Sequence, residues 1–234
     1  MTNNYDSKFY NQIFGGSRDS ADIVAPLICG HVNPKSVLEI GCGMATWSAA
    51  FLANGVKDVL AVDGPWVNVD SLQIEPRHFR HHDLREPFDP GRKFDLAVCM
   101  EVAEHLPESR AEDIVSVLTS HADSVLFAAA IPFQGGTDHI NEKPQSYWAA
   151  LFRDHGFKGY DIIRPEIWSN DRIEVWYRQN TIFYSSKEWD FKDKAIFDVV
   201  HPEMMSYYLS DWRGLFRVGR RLLSERFGRG FEVA

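Results

Sequence analysis

The stretch Val37-Leu38-Glu39-Ile40-Gly41-Cys42-Gly43-Met44-Ala45-Thr46-Trp47-Ser48 limits the possible folds of this chain more than any other. A short apolar run from Val37 to Ile40 breaks at Gly41 and Gly43. A helical pattern then begins through Trp47, Ala50, Phe51 and Leu52. Strand, glycine turn and helix, in that order, form the opening unit of a nucleotide-type α/β fold. Glycine at such a turn reaches backbone angles closed to other residues and lets a ligand come close to the main chain. The amides that begin the helix have no intrahelical partner and would face that ligand.

Spacing narrows the ligand. A dinucleotide fingerprint needs a third glycine where Thr46 stands, and no Lys-Ser or Lys-Thr pair follows to cradle a diphosphate. Instead Glu39 lies two residues before the first glycine. The pattern Glu39-x-Gly41-x-Gly43 resembles the first motif of class I S-adenosylmethionine (SAM) methyltransferases, many of which carry a further glycine at the position of Ala45. That resemblance covers about residues 20 to 185. It implies a Rossmann-like α/β fold: a seven-stranded, mostly parallel sheet with helices on both faces and an antiparallel edge strand.

Composition is that of a soluble globular domain, 44% hydrophobic and 25% charged, and 234 residues suffice for one α/β domain with additions. The net charge of −8 argues against a general nucleic-acid-binding surface. No signal peptide and no bilayer-length apolar run is visible, so no transmembrane segment is expected. Cys29, Cys42 and Cys99 are widely spaced in apolar or glycine contexts. Reduced thiols in a cytoplasm are the expectation.

In chain order, residues 1–22 are polar with scattered aromatics, and Tyr5, Phe9 and Ile13 share a helical face. By the resemblance this segment is a lid over the cofactor; a helix packed on the sheet edge fits equally. Asp22 to Cys29 reads as a helix interrupted at Pro26. Val59 to Val62 forms a second strand ending on Asp63, and a carboxylate at that tip can accept both hydroxyls of a ribose. His78 to Leu84 reads as a third strand. The resemblance places an adenine contact at Asp83, with the Leu84 amide on a ring nitrogen. His81 and His82 alternate to opposite faces and do not suit a shared metal.

Phe94 to Met100 reads as a central strand, and Met100 or Glu101 would line the cofactor site. Glu101-Val102-Ala103-Glu104-His105-Leu106-Pro107 then resembles the segment after strand four in small-molecule methyltransferases. A helix from Glu108, a fifth strand from Ser124 to Ala130 and a helix from Gln145 to His155 follow. Ile162 to Trp168, Arg172 to Trp176 and Asn180 to Tyr184 read as the last strands. The domain would thus span 1–185, with a helical extension over 186–234. Arg213 to Arg229 holds six arginines and one glutamate. Its apolar stripe can close the core, or rest on a partner or an anionic membrane surface.

Methyl transfer from a sulfonium needs an acceptor held in line, and an alcohol acceptor needs a base. Sequence order offers Glu104, His105 and His139 at the C-terminal edge of the sheet. His139 is the first choice for the base. Glu101-x-x-Glu104-His105 also resembles a metal motif of ubiquinone-pathway O-methyltransferases and small-RNA 2′-O-methyltransferases, in which two glutamates and a histidine hold a divalent ion. A metal is not the favoured expectation. The expected cofactor is SAM, held by Glu39, Gly41, Gly43, Asp63, Asp83, Leu84 and Met100 or Glu101. The expected acceptor is a small-molecule hydroxyl, a sugar or glycan precursor by analogy. Alternatives are a phenol or amine acceptor, RNA, a non-catalytic SAM-binding module, and a nicotinamide oxidoreductase.

Overall fold

A computed structural model of the chain describes residues 7–191 and 196–205. The apolar runs seen in the sequence become the strands of one sheet. Its elements are α1 (Ser7–Val32), β1 (Ser36–Ile40), α2 (Thr46–Ala53), β2 (Asp58–Asp63), β3 (Phe79–His81), β4 (Leu96–Met100), α3 (Ala111–His121), β5 (Ser124–Ala128), α4 (Gln145–Asp154), β6 (Lys158–Tyr160), α5 (Arg164–Ile167), α6 (Val175–Asn180) and β7 (Ile182–Ser185). The strand order is β3-β2-β1-β4-β5-β7-β6. Strands β1 to β5 pair in parallel, and β7 runs antiparallel between β5 and β6. No helix among the described residues is long and apolar enough to cross a membrane.

Parallel strands buried on both faces are apolar at consecutive positions, and alternation decides which face each side chain serves. Val37, Leu96 and Val98 pack with Ala21, Ile28, Trp47 and Phe51 of α1 and α2. Leu38, Ile40, Ala97 and Cys99 pack with Val115, Leu118, Trp148 and Phe152 of α3 and α4. Strand order reverses between β1 and β4. Open α/β sheets bind ligands at the C-terminal strand tips beside such a reversal, here Ile40, Asp63 and Met100.

Three expectations need correction. Helix α1 runs unbroken through Pro26, so no boundary falls at residue 22. Pro26 sits on the exposed face while Ala21, Val24, Ala25 and Ile28 are fully buried, and that burial offsets the hydrogen bond that proline cannot make. Second, Ile162–Trp168 and Arg172–Trp176 are not strands. The first contains α5, with Pro165 in its opening turn, and the second runs through a turn into α6. Their isoleucines (Ile162, Ile163, Ile167 and Ile173) plug one core layer instead. Third, the edge strand is β6, whose central Gly159 disguised it; a Cβ there would meet Ile196 at 2.0 Å.

Beyond β7, residues 196–205 are fastened to the domain. Ser146 donates its amide and its hydroxyl to Asp198, each at 2.7 Å, and Arg178 pairs with Glu203. Residues 1–6 of the expected lid and the arginine-rich stretch 213–229 lie outside the described residues.

Candidate active site

The glycine turn is tied down from two sides. Gly41 and Cys42 both donate their amides to the Val62 carbonyl, at 2.8 and 3.1 Å. Gly41 has φ +75°, and a Cβ there would lie 2.4 Å from a methyl of Val102, so only glycine fits. Gly43 (φ +52°) donates its amide to Asp63 Oδ2 at 2.7 Å, while Asp63 Oδ1 accepts the Gly64 amide at 2.6 Å. Ala45 holds φ +60°, a left-handed angle that favours glycine.

Glu39 is turned into the protein. Its Oε2 accepts both the amide and the hydroxyl of Ser48 in the first turn of α2. Burial pushes its carboxyl up to about 8, with the Ser48 bonds and the charge of Asp63 as smaller influences. Glu39 therefore anchors α2 beneath the glycine turn. Burial likewise raises Asp63, against the pull of its two amide donors.

Beside Asp63 stands Trp66. Its indole covers Gly64 so closely that a Cβ there would come within 2.1 Å. Arg85 lies 5.7 Å from the ring centroid and pairs with Asp83 at 2.5 Å. The Arg85 hydrogen bonds hold the Asp83 carboxyl below its ordinary range. Leu84 packs partly buried against the core. Strand β3 is shorter than expected, ending at His81, so Asp83 sits in the turn that follows. His81 and His82 bond separate carbonyls, those of Gly64 and Glu86.

At the tip of β4 the chain turns sharply, with Glu101 at φ +56°. The Glu101 carboxylate accepts Asn180 Nδ2 at 2.9 Å and Gln134 Nε2 at 2.7 Å. One turn on, Glu104 is fully buried; neither carboxyl oxygen has a hydrogen bond of good geometry, and the Glu101 carboxyl and the Ala130 backbone are its nearest polar neighbours. Burial, and then the charge of Glu101, push Glu104 well above the ordinary carboxylate range. The loop after β5 is zipped onto this turn, since Ile140 and Asn141 donate their amides to the Glu104 carbonyl at 2.9 and 3.0 Å. That brings His139 beside His105, with ring centroids 4.8 Å apart and planes 84° apart. Burial and the neighbouring His139 push His105 down to about 4. One ligand atom each from Glu104, His105 and His139 fall within 4.8 Å of one another.

The sequence reading missed a second set of residues. Ser17 of α1 shares hydroxyl contacts with Thr46 of α2 (3.1 Å) and Tyr177 of α6 (3.2 Å), closing α1 over the start of α2. Gln134, Asn180 and Tyr177 come from distant segments, and no local pattern marks them.

Comparison with known proteins bears on the fold. Residues 17–126 match the profile of a family described as a methyltransferase domain. Among solved structures, an O-methyltransferase family protein from Burkholderia thailandensis aligns with a TM-score of 0.58 at 14% identity over 78% of this chain. This chain spans 59% of that protein's length. The sugar N-methyltransferase KedS8 from Streptoalloteichus aligns with a TM-score of 0.58 at 14% identity, over 77% of this chain and 92% of that one. Magnesium protoporphyrin IX methyltransferase from Synechocystis, solved with bound S-adenosylhomocysteine, aligns at 0.55 and 18% identity, over 76% and 87%. No curated protein matches the chain in sequence. Sheet order and the aligned structures agree on the fold, that of the SAM-dependent methyltransferases among these neighbours, and residues 17–126, a little under half of the chain, are similar in sequence to a methyltransferase domain.

Proposed function

We propose that this chain methylates a hydroxyl on a small molecule, a sugar or natural product of similar polarity, with SAM as donor. The observation that carries the reading is a surplus of buried acid at the C-terminal strand tips. Glu39, Asp63 and Glu104 are each at most 7% exposed, and Glu101 adjoins them. No lysine or arginine pairs with any of the four among the described residues. Buried carboxylates without a counter-charge suit a cationic ligand. Bound there, SAM supplies an electrophilic methyl group on a sulfonium and a second positive charge on its ammonium.

The residues divide the work. Gly41 and Gly43 keep the turn bare so that the donor can lie against the main chain. Asp63 has the position for the ribose hydroxyls, and Asp83 with the Leu84 amide for the adenine. Met100 and Glu101 line the space between, and Glu39 holds α2 in register. His139 takes the proton from the acceptor hydroxyl as the new C–O bond forms, with His105 and Glu104 shaping the acceptor side. An amine acceptor would need a base only to shed its proton, so the same groups serve N-methylation.

A second reading concerns the acceptor. The buried Glu104 carboxyl and the convergence of Glu104, His105 and His139 fit a divalent cation that would hold acceptor oxygens. Glu101, expected to join such a set, has both oxygens occupied by Gln134 and Asn180.

Calorimetry with S-adenosylhomocysteine, followed by a panel of sugar and phenol acceptors with SAM, tests the proposal. Binding together with methylation of a hydroxyl is expected. Binding without turnover on any acceptor would indicate a binding module, and no binding would overturn the reading. Metal analysis of the purified protein by mass spectrometry tests the second reading. One equivalent of a divalent ion that is lost in Glu104→Gln supports it, and full activity in chelator ends it.

A further inference from the structure

Glu142 was not singled out in the sequence, yet it gathers the loop that carries His139. Its Oε2 accepts the Phe133 amide at 2.8 Å, and its Oε1 accepts the Gly135 amide at 2.6 Å. The same Oε1 lies 3.3 Å from His139 Nδ1. Its side chain is 7% exposed. The loop it closes is unusually bent, for Phe133 (φ +74°) and Asp138 (φ +58°) both take left-handed angles without being glycine. Single residues in that region each cost about 1–2 kcal/mol, so something must over-determine them.

We propose that Glu142 is the positioning residue of this site, holding His139 in the tautomer whose hydrogen is on Nδ1 and whose Nε2 keeps a lone pair. The inference rests on His139 acting at the acceptor side, as base or as ligand, because either role needs a bare nitrogen. An ionised carboxylate only accepts hydrogen bonds, so the imidazole nitrogen facing it must donate. A carboxylate behind a working histidine fixes the ring orientation as well as the tautomer. Gly136 completes the seat: a Cβ there would lie 2.3 Å from His139 Nε2, so no larger residue leaves room for the ring. Both Glu142 oxygens already accept backbone amides, so the carboxyl faces the ring as an acceptor.

The test is long-range proton–nitrogen correlation on ¹⁵N-histidine-labelled full-length protein, with His139 assigned by the loss of its signals in His139→Gln. The wild type should show His139 with hydrogen on Nδ1 and none on Nε2. Glu142→Gln should shift it toward the Nε2–H form that free imidazole prefers, and Glu142→Asp should restore the wild-type pattern at least in part. S-adenosylhomocysteine affinity should stay within about twofold in Glu142→Gln, because Phe133, Gly135 and His139, which Glu142 bonds, are not among the donor residues. A wild-type His139 with hydrogen on Nε2 overturns the proposal, as does an unchanged tautomer in a folded Glu142→Gln. The wild-type spectrum decides even where that variant does not fold. Because the tautomer is read without turnover, failure here is distinct from failure of the methyltransferase reading, which donor calorimetry and the acceptor panel decide.

Discussion

Asp63, at the end of β2, accepts the amide of Gly43 from 20 residues earlier at 2.7 Å, so one carboxylate both faces the expected ribose and holds the glycine turn. Its other oxygen is also filled by a backbone donor, Gly64. Asp63→Asn would keep the shape but turn a donor toward an N–H. An unsatisfied buried pair of this kind costs about 1–3 kcal/mol. The variant should melt lower in calorimetry and bind S-adenosylhomocysteine at least about tenfold more weakly. An Asp63→Asn protein with wild-type affinity would remove Asp63 from the donor site.

Gly41 offers a steric test of the same turn. Its φ of +75° already disfavours any side chain, and the Val102 methyl stands 2.4 Å from where a Cβ would go. Left-handed strain and overpacking together cost about 2–4 kcal/mol. For a chain of this size that is a fall of roughly 5–15 °C in Tm. Gly41→Ala paired with Val102→Ala should recover part of the loss, since only the collision is relieved. Differential scanning calorimetry on the three proteins checks this.

Glu39 predicts a pH signature in stability. Its folded-state value of about 8 lies above the ordinary 4.5, so the folded protein keeps a proton that the unfolded chain releases across that window. Its contribution is therefore fully present below pH about 4.5, falls by at most about 1.4 kcal/mol per pH unit as pH rises, and is gone above about 8. Urea titrations at pH 5.5 and 7.5 should show a smaller loss in Glu39→Gln than in the wild type. Equal losses would place the Glu39 carboxyl in the ordinary range.

The half of the fold built from β1, α2, β2, β4 and β5 was legible because buried parallel strands announce themselves as apolar runs. Two residues, Gly41 and Gly43, marked where the sheet opens to a ligand. Pro26 and Gly159 misled for opposite reasons: an exposed proline can ride in a long helix, and a glycine can sit in a strand where a neighbour fills its place. Where candidates follow chain order, as Asp63, Glu104 and His139 do, their place near the C-terminal strand tips was legible. It was hidden where partners meet across the fold, as Glu101 meets Asn180 from 79 residues away. Glu142, three residues past His139, is local enough to have been found, had a carboxylate behind the candidate base been sought.

Glu104 separates structural from functional roles most sharply. A fully buried carboxyl whose only polar neighbours, Glu101 and the Ala130 backbone, make no well-formed hydrogen bond lowers stability, charged or not. Burial and the charge of Glu101 raise its pKa, so its share of stability also declines as pH rises. Glu104→Met removes the unsatisfied group and fills a similar volume, and should stabilise the fold by about 1–3 kcal/mol, a rise of roughly 2–12 °C in Tm. If Glu104 serves the acceptor side, the same variant should lose catalysis by about 100-fold or more while S-adenosylhomocysteine binding is retained. A more stable protein with undiminished turnover would make Glu104 a packing residue. A less stable one would mean that the carboxyl has a bonding partner in solution. Calorimetry for Tm and donor binding, with a methyl-transfer assay on any acceptor found, decides among the three, because only a residue kept for its chemistry should gain stability and lose activity together.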